Sequence, residues 1–163
     1  MLGVMLSAAV VLAAAAPATF SDDPAAYTIA VPAQCTVRAK TKTVYAFIDC
    51  GKGYARVASG PGSDLPSLQK IVNGVIGNWS NLKLIQNQPG ASLGGATARN
   101  IYAEGTSGNE PSSIQMIAAT RNGHWYVLVM AAPQAEWTRD TAVYFSLVKA
   151  GFHFTAAPPA KKK

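Results

Sequence analysis

Acidic residues are scarce in this chain: eight of 163, against fourteen lysines and arginines. They are scattered, and the one adjacent pair, Asp22 and Asp23, precedes the first expected strand. No paired carboxylates are therefore set up for general acid–base work. Cysteine and histidine number two each. A structural zinc site takes about four close ligands; His124 and His153 lie far from the cysteines in sequence, and there is no C-x-x-C. No metal site is expected. The patterns G-x-S-x-G, H-E-x-x-H and G-x-x-x-x-G-K-[ST] are missing, which removes the nucleophile elbow, the zincin helix and the phosphate-cradling loop. "GKG" and "GPG" read as turn glycines, and "GASLGGATARN" lacks the spacing of a dinucleotide loop. No catalytic residue and no cofactor is expected. Repeats and internal linkers are absent too, so one domain is expected.

Long apolar runs are also lacking. The longest, Leu2 to Ala16, has about 15 residues, short of the roughly 20 that cross a bilayer. Small residues follow it, and Ala16-Pro17-Ala18 fits the A-x-A pattern that signal peptidase reads. Residues 1–18 are expected to be a cleaved secretory signal, although no Lys or Arg precedes the run. No cysteine closes the run, which argues against a lipoprotein anchor. The expectation is a protein exported by a bacterium to the periplasm or beyond, with no transmembrane segment in the mature chain.

Export bears on "CTVRAKTKTVYAFIDC", which holds both cysteines. Two cysteines in an oxidising compartment usually pair. The stretch reads as two strands around the polar Lys40-Thr41-Lys42 turn, with Cys35 and Cys50 near the open end of the hairpin, where a bridge is easily made. A structural disulfide is expected; a redox-active pair and two free thiols are the alternatives.

About 145 residues remain after residue 18, the size of one ordinary domain. The formal charge of +6 is halved once Lys161, Lys162 and Lys163 are set aside, and so modest a charge does not ask for a nucleic-acid partner. Residues 155–163 read as a disordered basic tail, and residues 19–26 as a short lead-in to a single domain over 27–154.

Within that domain, strands are expected over 27–31, 35–39, 43–50 and 54–58. Leu65, Leu68, Ile71, Val72, Val75, Ile76 and Trp79 then recur at helical spacing, predicting a helix over 65–79 capped by Asp64. Further strands follow over 82–86, 96–104, 112–120 and 124–130, with a turn at Gln88-Pro89-Gly90. Asn122-Gly123 is the strongest hairpin signal, because both residues tolerate the positive φ of a type I′ turn. The strand after it, HWYVLVM, is apolar on both faces and so should be covered on both. Pro133 opens a second helix, in which Trp137, Thr141, Tyr144, Phe145 and Val148 share a face. Gly151 ends it in the usual C-cap role, and Phe152-His153-Phe154 closes the domain. The fold class expected is α/β (α+β): a mainly antiparallel sheet sandwiched by helices on both faces.

In this order of elements, and in "YTIAVP", "LGGATARNIYAEG" and "NGHWYVLVMAAPQAEWTRDTAVYFSLVKAGFHF", the chain resembles the PsbP-like domains. That family includes the extrinsic protein of photosystem II, a nuclear-transport factor that binds a small GTPase, and many exported bacterial proteins. The resemblance covers nearly all of residues 27–154 and implies the helix–sheet–helix sandwich. It carries over neither a photosynthetic role nor GTPase binding, and the cysteine pair is not a general feature of the family.

One surface feature stands out. Arg38, Lys40 and Lys42 alternate, so an extended chain places all three on one side. They serve either as charges that keep an edge strand from pairing with other molecules or as a docking face for an acidic partner, anionic headgroups or an anionic envelope polymer. The function expected is that of an exported, non-enzymatic binding or accessory protein of the cell envelope, whose partner is an unknown protein or an anionic envelope component. Its oligomeric state is unknown. Two alternatives stand beside it. One is a small envelope hydrolase or other enzyme with its site at the sheet edge, with His124 as its candidate residue, and the other is a structural or assembly protein. His124 and His153 otherwise read as surface residues.

Overall fold

The strand His124–Pro133 (β9) sits in the middle of everything else, and its sequence explains why. The computed structural model describes residues 18–22, 26–38, 46–51, 53–77 and 79–156. Tyr126, Leu128, Met130 and Ala132 of β9 join one apolar cluster, while Val127, Val129 and Ala131 join another on the opposite face. A strand apolar on both sides is stable only between two covering layers, and full burial of each large side chain contributes about 1.5–3 kcal/mol.

Six strands that precede β9 in the chain build a seven-stranded sheet with it. In chain order these are β3 (Thr36–Arg38), β4 (Ala46–Asp49), β5 (Tyr54–Pro61), β6 (Trp79–Leu93), β7 (Ala96–Ser107) and β8 (Glu110–Arg121). The order across the sheet is β3-β4-β5-β9-β8-β7-β6, and every pairing is antiparallel. The β8–β9 hairpin turns on Asn122 (φ 50°) and Gly123 (φ 73°), as a type I′ turn requires.

Among the described residues, each face carries one helical segment. On one face α1 (Leu68–Ile71) runs on as a π-helical turn, Val72–Ile76, and buries Ile71 and Val72. On the other, α2 (Gln134–Asp140) passes through a π-helical turn, Thr141–Phe145, into α3 (Ser146–Ala150), burying Phe145 and Val148. The expected sandwich of an antiparallel sheet between helices is therefore the observed architecture.

Four details differ from the sequence reading. The first helix is shorter than 65–79: Ser67, not Asp64, accepts the capping bond from the Lys70 N–H at 3.3 Å, and Gly77, at φ 63°, ends it. Trp79 is still core, but as the first residue of β6. Secondly, Gln88-Pro89-Gly90 is not a turn, because β6 runs straight through it, paired with β7, with a register shift between Pro89 and Ala91. Proline is tolerated in a strand at an edge or a bulge, and β6 offers both. Thirdly, Gly151 does cap the last helix, its N–H donating to the Leu147 carbonyl at 2.9 Å, but with a right-handed φ of −80°; glycine is needed because a Cβ there would lie 2.7 Å from the Ala30 Cβ.

Lastly, a second sheet stands on the α2–α3 face. β1 (Ala18–Asp22), β2 (Tyr27–Val31) and β10 (Phe152–Phe154) form it in the order β1-β2-β10. Tyr27 of β2 stacks on Phe152 at 5.2 Å. β1 lies in the stretch read as the end of the leader and the lead-in, and it pairs with β2 from Ala18↔Val31 to Asp22↔Tyr27. Its Phe20 packs against the core beneath, 6.3 Å from Tyr27.

Candidate binding surface

The cysteine hairpin is the one expected feature of the surface that the fold frames directly. β3 and β4 pair as Thr36↔Asp49, Val37↔Ile48 and Arg38↔Phe47, so Cys35 and Cys50 face each other one step beyond. Their Cα atoms are 4.3 Å apart and the sulfurs are bonded. Both cysteines are buried in the core cluster, and no free cysteine remains. The bond closes the chain at the root of an edge hairpin that has only three paired positions on β3, too few to hold the strand by ladder bonds alone. Closing a loop of this size contributes roughly 3 kcal/mol in the chain-entropy picture.

Of the three basic residues of the candidate docking face, Arg38 is the last residue of β3, at the outer edge of the large sheet. Lys40 and Lys42 lie outside the described residues. The ladder adds a cation that the sequence reading missed. Arg38 pairs with Phe47, Phe47 with Arg56, and Arg56 with Val129. Arg38 and Arg56 thus share one row of the sheet, two strands or about 10 Å apart. The half-buried Arg56 guanidinium lies over the Tyr54 ring, 5.2 Å from its centre. Burial pushes the Tyr54 phenol above its usual value, with the Trp79 side chain and the Arg56 charge pulling the other way. The signal for Arg56 was present: it is the only charged residue between the apolar Ala55 and Val57 of a short strand.

Among the described residues neither histidine gains a side-chain partner. His124 is exposed at the start of β9, with Nδ1 3.3 Å from the carbonyl oxygen of Asn122. Neither a carboxylate nor a hydroxyl is bonded to it among the described residues. An enzyme built on His124 would need such a partner in reach. His153 alternates outward between the buried Phe152 and the half-buried Phe154, as the extended reading of that stretch required. Among the described residues no cluster of three metal-ligating side chains occurs, and no helix is long and apolar enough to cross a membrane.

No family model matches the sequence, and no curated protein is similar to it in sequence. Solved structures are similar to its fold. Cyanobacterial PsbP (CyanoP) from Synechocystis sp. PCC 6803 superimposes with a TM-score of 0.61 at 13% identity, over 91% of this chain and 98% of its own. The Saccharomyces cerevisiae Ran-binding protein Mog1p matches at 0.56 and 11% identity, over 85% and 95%. LpqN, involved in cell envelope biogenesis of Mycobacterium tuberculosis, matches at 0.55 and 15%, over 82% and 87%. At these identities the likeness concerns architecture alone: an antiparallel sheet between helices, shared nearly end to end with three proteins of different sequence, is the PsbP-like fold, and this chain has it.

Proposed function

We propose that the chain is an exported, non-enzymatic binding or accessory protein of the bacterial cell envelope. It docks an acidic partner, a protein or an anionic envelope component, through the basic hairpin of Arg38, Lys40 and Lys42, with Arg56 behind it. The observation that carries this reading is the disulfide-held edge: a three-residue strand, tied at its root by Cys35–Cys50, ends in Arg38 on the same row as Arg56. The disulfide ties the root of the hairpin, and fixing a segment before it binds favours affinity. Opposite charge on a partner would then steer the encounter.

Further support comes from the company the fold keeps. One similar structure is described as a Ran-binding protein and another as involved in cell envelope biogenesis. Disulfides persist in oxidising compartments, which fits export. Cleavage after Ala18 would leave residues 19–22 of β1 to pair with β2, so the mature chain would keep most of that strand.

Co-sedimentation of the protein with its own envelope fraction tests the reading. Exposed charges are screened over ~8 Å at physiological ionic strength, so binding should weaken steeply as salt rises. His124→Ala should bind like wild type. Binding that is indifferent to salt, or that is lost in the His124 variant, would reject this reading.

A further inference from the structure

A second polar site lies at the opposite edge of the large sheet, six strand spacings or roughly 29 Å from β3. The β6–β7 turn, the end of α3 and β10 enclose a cleft of about 390 Å³. Ser92, Gly94, Gly95, Ser146, Lys149 and His153 line it, over a floor made by Phe152. All four polar side chains can donate a hydrogen bond, and no carboxylate is in the lining. Among the described residues none of the four has a hydrogen-bond or ion-pair partner.

The cleft is also held in shape. Gly94 turns with φ 55°, and a Cβ on it would meet the Phe154 and Phe152 rings at 2.9 and 3.1 Å. The Gly94-Gly95 turn is therefore pressed onto the aromatic pair, which stands edge to face at 5.1 Å. A two-residue hairpin loop leaves the N–H groups of both its residues outside the ladder, and neither glycine donates a backbone hydrogen bond among the described residues. On the other wall, Phe152 is buried at 1% exposure. The strand's alternation then turns His153 out beside the Lys149 of α3.

We propose that this cleft binds a phosphate-type oxyanion carried on a small organic group. An ammonium, an imidazole, two hydroxyls and two turn amides outnumber what the two oxygens of a carboxylate can use, and suit the three or more of a phosphate. The volume falls at the lower end of ordinary ligand pockets, larger than a bare ion needs. It leaves room for the organic part of a phosphate ester against Ala150. The source is either a soluble phosphate ester or a phospholipid headgroup. This site is independent of the basic hairpin.

Titrating the protein with glycerol 3-phosphate at constant ionic strength, followed by amide NMR shifts, tests the proposal. Saturable shifts should appear at Gly94, Gly95, Lys149 and His153. The double variant Lys149→Gln with His153→Gln should bind at least tenfold more weakly at an unchanged thermal midpoint, since both side chains are exposed. The triple variant Arg38→Ser, Lys40→Ser, Lys42→Ser should bind glycerol 3-phosphate like wild type. A second arm measures flotation with phosphatidylglycerol vesicles. Flotation lost in the double variant assigns the site to a lipid headgroup; no flotation, with glycerol 3-phosphate still bound through Lys149 and His153, assigns it to a soluble ester. Absence of saturable shifts, shifts remote from the cleft, or a double variant that binds as wild type would overturn it.

Discussion

At one edge of the large sheet stands β3, three residues long; at the other stands β6, fifteen residues long. Both leave a row of backbone groups open to pairing with another molecule. β3 answers with brevity, a disulfide at its root and Arg38 as its last residue. β6 answers with three irregularities in its register, a proline inside the strand and a turn pressed onto Phe152 and Phe154. Leu84 and Ile85 of β6 remain exposed beside its single charge, Lys83, so the irregular backbone is the main protection of that edge. The comparison separates two kinds of edge. One edge is covalently pinned at its root, while the long one relies on shape.

The largest expected effect is at the pinned edge. Replacing Cys35 and Cys50 together by Ser should lower stability by roughly 2–4 kcal/mol, read from denaturant unfolding, with the fold still recognisable by circular dichroism. Native thiols in the wild-type protein that react quickly with an alkylating agent would break the comparison at once. At the long edge, Gly94→Ala should cost about 1–3 kcal/mol, because the new methyl must displace an aromatic ring in a backbone conformation that alanine resists. A Gly94→Ala protein as stable as wild type would show that the turn is not pinned. Smaller still is Pro89→Val. Stability should stay within about 0.5 kcal/mol, but the restored N–H and flatter strand should raise self-association above that of wild type in sedimentation velocity.

These contrasts also show where the sequence was legible. Asn122-Gly123 and the two-faced apolar run after it carried enough local information to place β9 at the centre, with helices on opposite faces. The two cysteines, one register step outside their hairpin, were equally readable. Residues whose state depends on distant neighbours were not. Pro89-Gly90 looks like a turn until β6 is known to be an edge strand. Ala18–Asp22 holds no strong strand pattern of its own and becomes a strand because β2 offers it a partner. Gly151 is the cap it was read to be, but the demand for a glycine there comes from Ala30, far away in sequence. Arg56 was visible as a lone charge in an apolar strand, but only the ladder puts it on the row of Arg38.

The central claim is that the pinned edge is a docking face rather than merely a protected one. It is tested most directly by comparing wild type with the variant Arg38→Ser, Lys40→Ser, Lys42→Ser for binding to an anionic envelope fraction at low salt. The variant should fold with stability within about 0.5 kcal/mol of wild type, as surface changes usually do, and should lose most of its binding. A variant that binds as well as wild type would contradict the claim and leave the three charges with edge protection as their only task.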